Sequence, residues 1–335
     1  MATWMVRAGR KAAYLERFLD NDIAAIGWVD LKGVRPGESL EDLRDRMARV
    51  WPDYSVGQLG MAASQVHKFA KVITAGDTII TYDPSRRVYH MGKVSGAYRY
   101  EEGHEEDGGG NVRNVAWDRE VPRDDLKPRT RNSLGAVSTL FEVPEHAVED
   151  MNRVLRGDSL PETSEPDDAN EDAGDGPDLT LDAVESRAAD LIADRLSRLN
   201  WEEMQDLVAG VLRGMGYKTE VSPKGADRGK DIIASPDGFG FQDPRIIVEV
   251  KHRVGSTMGA SEIRAFLGGR REGDKCLYVS TGGFTREARY EAERARFPVK
   301  LMTLEDLTDI ILADYESLDT PTRDLVPLTR IYWPT

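Results

Sequence analysis

The spacing of apolar residues changes along the second half of the chain from a helical period to short continuous runs. Residues 181–217, LDAVESRAADLIADRLSRLNWEEMQDLVAGVLRGMGY, carry apolar positions three and four apart. This spacing predicts a helical segment in two pieces that meet near Asn200 and end at Gly214 and Gly216. Three apolar runs follow, KTEVS, GKDIIASPDG and RIIVEVKHR. Their length and composition predict three short strands.

The rest of this half alternates between helical and strand patterns. ASEIRAFLGG (260–269) predicts a helix, and DKCLYVSTGGFT (274–285) predicts a buried strand that ends in a glycine turn. REARYEAERA (286–295) predicts a polar helix, and VKLMTLEDLTDIILADY (299–315) predicts a strand followed by a helix. The order αα-β-β-β-α-β-α-β-α indicates an α/β fold with a mixed central sheet flanked by helices.

The first half of the chain is richer in strand patterns. TWMVRAG, AAIGWVDL, GDTIITYDPSRRVYHMGKVSGAYRY and NVRNVAWDREV predict strands separated by glycine and proline turns. AAYLERFLDNDI and SLEDLRDRMARVW predict helices, the second opened by Ser39 with Asp42 three residues on, a variant of the capping box. We expect a β-rich α+β domain, with a small curved sheet or partial barrel and helices at its rim.

An acidic segment separates the two halves. Residues 157–178 hold nine of the acidic side chains and no basic one, which accounts for most of the net charge of −14. Without periodic apolar residues, such a segment cannot bury enough surface to offset its ordering entropy. We therefore predict a first domain at 1–156, a flexible acidic linker at 157–178 and a second domain at 179–335. Since both domains are nearly neutral, local basic faces for a nucleic acid remain compatible with the composition.

The single cysteine, Cys276, excludes an intramolecular disulfide and a cysteine-based zinc site. A chain with a single cysteine fits a reducing compartment. No apolar run approaches the roughly 18 residues that a membrane-spanning helix needs. We therefore expect a cytoplasmic protein without a membrane partner.

Three side chains on the second and third predicted strands of the second domain suggest chemistry. Glu249 and Lys251 are two residues apart and project from one face of a strand. If that strand pairs antiparallel with the preceding one, Asp231 lies near Glu249. Two adjacent carboxylates repel each other unless a cation lies between them, and Mg²⁺ prefers such oxygen ligands. The carbonyl of Val250 is a further candidate ligand, and Lys251 would orient or deprotonate a water or neutralise charge on a phosphate.

This arrangement resembles the PD-(D/E)xK nuclease superfamily. The segments WEEMQDLVAGVLRGMGY, GADRGKDIIA, VEVKHR, EIRAFLGG and YVSTGGFTREAR stand in the order seen in the Mrr-type restriction endonuclease domain, over about residues 195–312. The resemblance implies a PD-(D/E)xK nuclease fold, Asp231 and Glu249 as ligands of Mg²⁺ or Mn²⁺, and Lys251 as the catalytic lysine. The alternative is a buried structural ion pair between Glu249 and Lys251.

Neighbouring residues depart from the family pattern or leave two interpretations open. The first helix of the family usually has Phe-Glu where this chain has Met204 and Gln205, which puts a third metal contact in doubt. Asp227 would serve the loop or the metal, and His252 would contact phosphate or cap the strand end. The STGGFT turn offers free backbone N–H groups for an anion, or is simply a turn. Basic candidates for DNA contact, or for a solvated helix face, are Arg253, Arg264, Arg270 and Arg271.

The first domain resembles the EVE-like, PUA-like modules fused to such nucleases. Those small barrels generally bind a modified base flipped into an aromatic pocket, for which Trp28, Tyr82 and Trp117 are the candidates; the alternative places these aromatics in an ordinary core. Together the two resemblances imply a modification-dependent, type IV-like restriction endonuclease acting on double-stranded DNA with modified bases. Cutting both strands with one site per chain suggests a homodimer. The alternatives are a non-catalytic binder of modified nucleic acid and a nuclease effector directed at host DNA.

Overall fold

The computed structural model describes residues 1–102, 109–136, 138–158, 181–222, 231–253 and 255–332 of the 335-residue chain. It divides into two compact units. The N-terminal unit consists of residues 1–84 and 88–187, and the C-terminal unit of residues 85–87 and 188–335. Most of the predicted acidic linker, from residue 159 to 178, lies outside the described residues, and its boundaries stay a prediction. Within the described ranges, no helix has the length and apolar character needed to cross a bilayer.

The N-terminal unit contains a sheet and five α-helices in its described residues. In chain order these are β1 (Thr3–Val6), α1 (Leu15–Asp20), β2 (Ile23–Ile26), α2 (Leu40–Val50), α3 (Val56–His67), β3 (Thr78–Asp83), β4 (Val88–Val94), β5 (Arg99–Tyr100), β6 (Asn111–Pro122), α4 (Pro128–Leu134), β7 (Leu140–Glu142) and α5 (Glu145–Leu155). The strand order is β2-β6-β4-β3-β1-β7, with β5 also pairing with β6. The predicted helix cap is present, since Ser39 and Asp42 form a reciprocal capping box at the start of α2.

Alternation along the strands distributes apolar side chains to two hydrophobic clusters. Trp4 and Val6 of β1 join a first cluster, which also takes apolar residues from α1, α2 and α3, whereas Met5 joins a second cluster with residues of α5. Successive strand residues point to opposite faces, so one short strand supplies both clusters. At Gly92 the pairing of β4 with β6 shifts register. A Cβ there would lie 2.6 Å from the Ala116 carbonyl oxygen, so only glycine allows this close approach.

The C-terminal unit is an α/β fold with a mixed five-stranded sheet, as the sequence predicts. Its elements are α6 (Leu181–Leu196, whose first turns fall in the other unit), α7 (Trp201–Gly214), β8 (Lys218–Val221), β9 (Ile232–Ser235), β10 (Arg245–Lys251), α8 (Ala260–Leu267), β11 (Asp274–Ser280), α9 (Arg286–Glu293), β12 (Val299–Thr303), α10 (Leu304–Asp314) and α11 (Thr320–Leu325). The sheet order is β12-β11-β10-β9-β8. Strands β10, β11 and β12 are parallel, and β8, β9 and β10 are antiparallel.

The two faces of this sheet are covered by different helices. Val248 and Val250 of β10 pack in a cluster with residues of α7 and α10, and Ile247 packs in another with residues of α8 and α9. The predicted break between α6 and α7 is confirmed at Asn200, whose side chain accepts a hydrogen bond from the Glu203 N–H. Glu203 returns the contact to the Asn200 N–H, so the two residues form a capping box that fixes where α7 begins.

Asp319 links α11 to α7 and generates a prediction about stability at low pH. Its carboxylate accepts hydrogen bonds from the Thr322 N–H (3.0 Å) and from the Arg213 Nε (2.7 Å). The Arg213 hydrogen bond is the main reason that the pKa of Asp319 falls to about 2. A lowered folded-state pKa stabilises the fold above the unfolded-state pKa, and this contribution is lost as pH falls toward 2.

We expect Asp319→Asn, which keeps an oxygen for the helix cap, to lower the free energy of unfolding at pH 7 by about 0.5–1 kcal/mol. The value is small because both side chains of the ion pair are more than one-third exposed and are screened by solvent. Urea unfolding of the full chain at pH 7 and at pH 2.5 measures this difference, which should shrink at the lower pH. An equal difference at both pH values would contradict the assigned ion pair.

Candidate active site

The antiparallel pairing of β9 with β10 brings Asp231 to Glu249. Ile232 pairs with Val248, so the next position of the same register sets Asp231 opposite Glu249. The Asp231 N–H donates a hydrogen bond of 2.9 Å to the Val248 carbonyl, which extends the ladder one step beyond β9. Both residues are buried, Asp231 at 3% exposure and Glu249 at 7%. The hairpin therefore places two carboxylates side by side at the edge of the hydrophobic core.

Glu249 and Lys251 project from the same face of β10, as their spacing requires. The Lys251 Nζ lies 2.6 Å from the Glu249 Oε1. The lysine side chain is one-third exposed, whereas only 10% of the glutamate side chain is. The ammonium group is thus held against a buried carboxylate while part of the side chain reaches solvent. Taken alone, this contact fits a structural ion pair as well as a catalytic lysine.

Asp231 distinguishes the site from a simple ion pair. Its Oδ2 accepts a hydrogen bond of 2.6 Å from the Val250 N–H. A hydrogen bond from a buried backbone N–H stabilises the charged form of a carboxylate, so Asp231 adds a second negative charge beside Glu249. Asp231 also makes contacts beyond this hydrogen bond. Two neighbouring buried carboxylates beside one lysine are the kind of oxygen donors that hold a divalent cation.

The carboxylate donors fit a magnesium-type site, in which water and substrate complete the ligands, better than a site whose ligands all come from the protein. No cluster of three or more His, Cys, Asp or Glu side chains able to hold a metal is found among the described residues. Mg²⁺ is commonly held by one or two carboxylates together with waters and substrate phosphate, and Asp231 and Glu249 supply that number. The Val250 backbone is fully buried beside them, and its carbonyl as a ligand stays a prediction. Asp227 lies outside the described residues.

Gln205 and His252, the described candidates for additional contacts to the metal or the phosphate, have different surroundings. Gln205, on α7, is 3% exposed, and its Nε2 has no hydrogen-bond partner among the described residues. His252 lies with one ring nitrogen 2.6 Å from the Leu199 carbonyl oxygen and the other 3.2 Å from the Thr281 Oγ1. Because protein atoms contact both ring nitrogens, the structure favours the strand-end interpretation of His252 over a phosphate contact.

The four arginine candidates differ in exposure and in partners. Arg253 and Arg271 are exposed. Arg264 forms an ion pair of 3.1 Å with Glu291 of α9, which offsets its charge. Arg270 lies with its guanidinium 4.5 Å from the centre of the Phe266 ring, and burial lowers the pKa of Arg270. Arg264 is exposed as well, so three of the four arginines have the exposed position that a contact to a DNA backbone requires. Of these, Arg253 and Arg271 combine exposure with no ion pair among the described residues.

The STGGFT segment forms a turn whose polar groups are used within the protein. The Ser280 hydroxyl donates to the Gly283 carbonyl at 3.1 Å, and Thr285 caps α9 by accepting from the Ala288 N–H. Gly283 has a φ of 77°, which glycine adopts without strain. A Cβ at Gly282 would lie 2.1 Å from the Ser256 carbonyl oxygen. These contacts favour the turn interpretation over an anion site.

The three aromatic candidates of the N-terminal unit do not converge on one pocket. Trp28 and Trp117 pack against the first cluster, whereas Tyr82 packs against the second. The Trp117 Nε1 donates to the Phe18 carbonyl at 3.0 Å, and the Tyr82 ring lies tilted by 34° against the Tyr89 ring, with centres 4.8 Å apart. Trp28 differs from both, because it is half-buried in a left-handed conformation with φ 60° and ψ 44°. Of the three, only Trp28 has a left-handed backbone conformation, a strained geometry that is frequent at functional sites.

The sequence interpretation missed Tyr278, which pairs with Glu249 in the parallel register of β10 and β11. It is fully buried, and its hydroxyl has no hydrogen-bond partner among the described residues. The sequence offered no local signal for it, since a tyrosine in a buried strand is usually a core residue.

The hydrogen bond between Asp231 and Val250 predicts two different outcomes for substitutions at Asp231. Asp231→Ala leaves the buried Val250 N–H without this acceptor, which costs about 1–3 kcal/mol. Asp231→Asn keeps an oxygen acceptor and removes the charge. We expect Asp231→Ala to lower the midpoint of urea unfolding clearly, and Asp231→Asn to lower it by less than half as much. Equal midpoints for the alanine variant and the wild type would show that the hydrogen bond does not stabilise the fold.

Two family descriptions match parts of the chain. Residues 196–311 match the Mrr catalytic domain family, described as "Restriction endonuclease", which agrees with the expected range of 195–312. Residues 4–143 match a domain of unknown function, DUF8426. The EVE-like, PUA-like character of the N-terminal unit therefore stays a prediction.

Individual proteins give weaker likenesses. An uncharacterized protein of Sinorhizobium fredii (strain NBRC 101917 / NGR234), y4cE, is 31% identical over 118 residues, which cover 33% of this chain and 29% of that protein. Two solved structures are each 13% identical: MspJI restriction endonuclease in complex with a 27-mer oligonucleotide, with a TM-score of 0.32, and the DNA modification-dependent restriction endonuclease AspBHI, with a TM-score of 0.31. The matches cover 81% and 85% of this chain and 70% and 71% of those chains. At these TM-scores the structural likenesses carry no argument.

The family match includes every residue of the described site. Asp231, Glu249 and Lys251 fall within residues 196–311, and so do the strands and helices that position them. The segment from residue 196 to 311, which carries the described site, matches the model of the Mrr-type restriction endonuclease domain.

Proposed function

We propose that this protein is a type IV-like, modification-dependent restriction endonuclease that hydrolyses DNA phosphodiester bonds with a divalent metal ion. The observation that carries the proposal is the placement of Asp231 opposite Glu249, with Lys251 2.6 Å from Glu249, inside a restriction endonuclease domain. A purely structural ion pair explains Glu249 and Lys251, but it does not explain a second buried carboxylate beside them. A site that holds a cation explains all three.

Asp231 and Glu249 would hold Mg²⁺ or Mn²⁺, which when bound supplies positive charge for the phosphate and lowers the pKa of a coordinated water. The Val250 N–H fixes the Asp231 carboxylate through its hydrogen bond. Lys251 fixes Glu249 in the same way. Since the lysine side chain is one-third exposed, its ammonium group is available to a phosphate at the surface and offsets charge that develops there.

The N-terminal unit is the proposed reader of the modified base. Trp28 follows Gly27 in a segment that three hydrogen bonds brace: Asn111 Nδ2 to the Gly27 carbonyl (2.6 Å), Tyr100 hydroxyl to the Val29 carbonyl (2.9 Å) and Tyr98 hydroxyl to the Asn111 Oδ1 (2.7 Å). Left-handed backbone at a bulky residue persists only where its surroundings determine it. A half-buried indole on a braced segment suits stacking on a base taken out of the helix.

A non-catalytic binder of modified DNA is the second candidate. The closed contact between Glu249 and Lys251 favours it, because a pair at 2.6 Å already satisfies both charges without an ion. In that case the C-terminal unit would grip DNA without cutting it. Cleavage assays with Mg²⁺ or Mn²⁺, on plain DNA and on DNA carrying methylated, hydroxymethylated, glucosylated or phosphorothioate groups, separate the two candidates.

The first prediction of the proposal concerns the catalytic residues. We expect Glu249→Gln and Lys251→Met each to reduce cleavage of a susceptible modified DNA by at least about 100-fold, because the first removes a charge that would hold the metal ion and the second removes the ammonium group that would face the phosphate. Initial rates of double-strand cleavage with Mg²⁺ measure the effect.

Matched controls lie on the same sheet. Glu220 on β8 and Lys275 on β11 are both exposed, so Glu220→Gln and Lys275→Met should cut at the wild-type rate. Full cleavage by Glu249→Gln or Lys251→Met in a correctly folded protein would rule out the proposed centre.

The second prediction concerns the reader. We expect Trp28→Ala to weaken binding of the susceptible modified DNA by about 10-fold or more, since base–aromatic stacking is worth about 1–3 kcal/mol. Binding of the unmodified duplex of the same sequence should change less than twofold. Fluorescence anisotropy in Ca²⁺, with Tyr82→Phe as the control from the other cluster, measures both affinities. Equal losses on modified and plain DNA would show that Trp28 does not read the modification.

A further inference from the structure

Tyr278 is held in a fixed position beside Glu249. The two residues are partners in the parallel register of β10 and β11, and paired residues of neighbouring strands project from the same face. The Tyr278 ring packs edge to face against Phe266 (centres 5.1 Å apart) and Phe284 (5.8 Å). These contacts confine the ring, so they also fix where its hydroxyl lies.

The hydroxyl of this tyrosine is an exception to the usual pairing of buried polar groups. Tyr278 is fully buried, and its oxygen makes no hydrogen bond within the described part of the chain. A buried hydroxyl without a partner costs free energy that a phenylalanine at the same position would not. Such an exception calls for an explanation by function, an ion or a water.

The electrostatics of Tyr278 connect the hydroxyl to the active site. Burial raises its pKa, and the charges of Glu249, Glu262 and Asp231 raise it further, while Arg253 opposes them. The phenol therefore stays protonated and remains a donor at neutral pH.

We propose that Tyr278 is a positioning residue whose hydroxyl donates a hydrogen bond to the Glu249 carboxylate, directly or through one water, when the site holds a divalent cation. Lys251 holds Glu249 at 2.6 Å. When Glu249 serves the ion, Tyr278 would supply a second donor that fixes the orientation of the carboxylate. This inference rests on the proposed metal site. It adds a residue from a third strand to those of the β9–β10 hairpin.

The test is Tyr278→Phe in the full chain, read out as metal affinity and as stability without metal. We expect Mn²⁺ binding, measured by calorimetry and by the free-ion electron paramagnetic resonance signal, to weaken about 3- to 10-fold, the loss of one hydrogen bond. The midpoint of thermal unfolding in a chelator should be equal to or higher than that of the wild type. A residue that merely fills space would change neither the affinity nor the stabilisation by Mn²⁺.

Tyr89 provides a matched control. It is 1% exposed, and its hydroxyl accepts a hydrogen bond of 2.5 Å from Arg123 in the other unit of the chain. Tyr89→Phe should lower the unfolding midpoint of its own unit and leave Mn²⁺ affinity unchanged. Tyr89→Phe should therefore change stability but not Mn²⁺ affinity, and Tyr278→Phe should change Mn²⁺ affinity without lowering stability. This contrast distinguishes a hydroxyl that stabilises the fold from one that supports ion binding.

Two results overturn the inference about Tyr278. Wild-type Mn²⁺ affinity in Tyr278→Phe, or a clearly lower unfolding midpoint of that variant in the chelator, would show that the hydroxyl does not act through the ion. Failure of the metal site itself gives a different pattern. In that case Glu249→Gln would bind Mn²⁺ as the wild type does, or the wild type would bind none. Either result would contradict both the proposed metal site and the role of Tyr278.

Discussion

The site depends on keeping two carboxylates buried next to each other. Asp231 and Glu249 occupy opposed positions of an antiparallel pair, and both are less than one-tenth exposed. Their repulsion must be offset by donors that the fold places at fixed positions. The Val250 N–H supplies one and the Lys251 ammonium supplies another. Oxygen donors held in this way are those that a divalent ion prefers.

The surrounding sheet makes this placement possible by separating its faces. One face of β10 packs Val248 and Val250 into a fully apolar cluster, and the other carries Ile247, Glu249 and Lys251 along the strand. Both faces bury apolar side chains, in clusters with α7 and α10 on one side and with α8 and α9 on the other. This burial stabilises the sheet, so the Ile247 face can also carry Glu249 and Lys251, which contribute little to stability. Tyr278 on β11 is the register partner of Glu249, and its ring packs against Phe266 and Phe284 in the core.

The N-terminal unit separates the three aromatic candidates. The EVE-like, PUA-like resemblance implies one aromatic pocket, whereas the sheet directs Trp28 and Trp117 to one cluster and Tyr82 to the other. Buried aromatics mostly serve packing, and only the backbone conformation of Trp28 departs from that role.

Local pattern in the sequence determined the element order of the C-terminal unit, the break at Asn200 and the shared face of Glu249 and Lys251, because helical and strand periods act over a few residues. The approach of Asp231 to Glu249 was also predictable, since β9 directly precedes β10 along the chain and the two strands pair antiparallel. Tertiary structure alone decided the rest. Tyr278 meets Glu249 through a parallel pairing of strands separated by a helix, and His252 meets Leu199 and Thr281 across 53 and 29 residues. Contacts of this kind depend on how distant elements pack, and no local period encodes them.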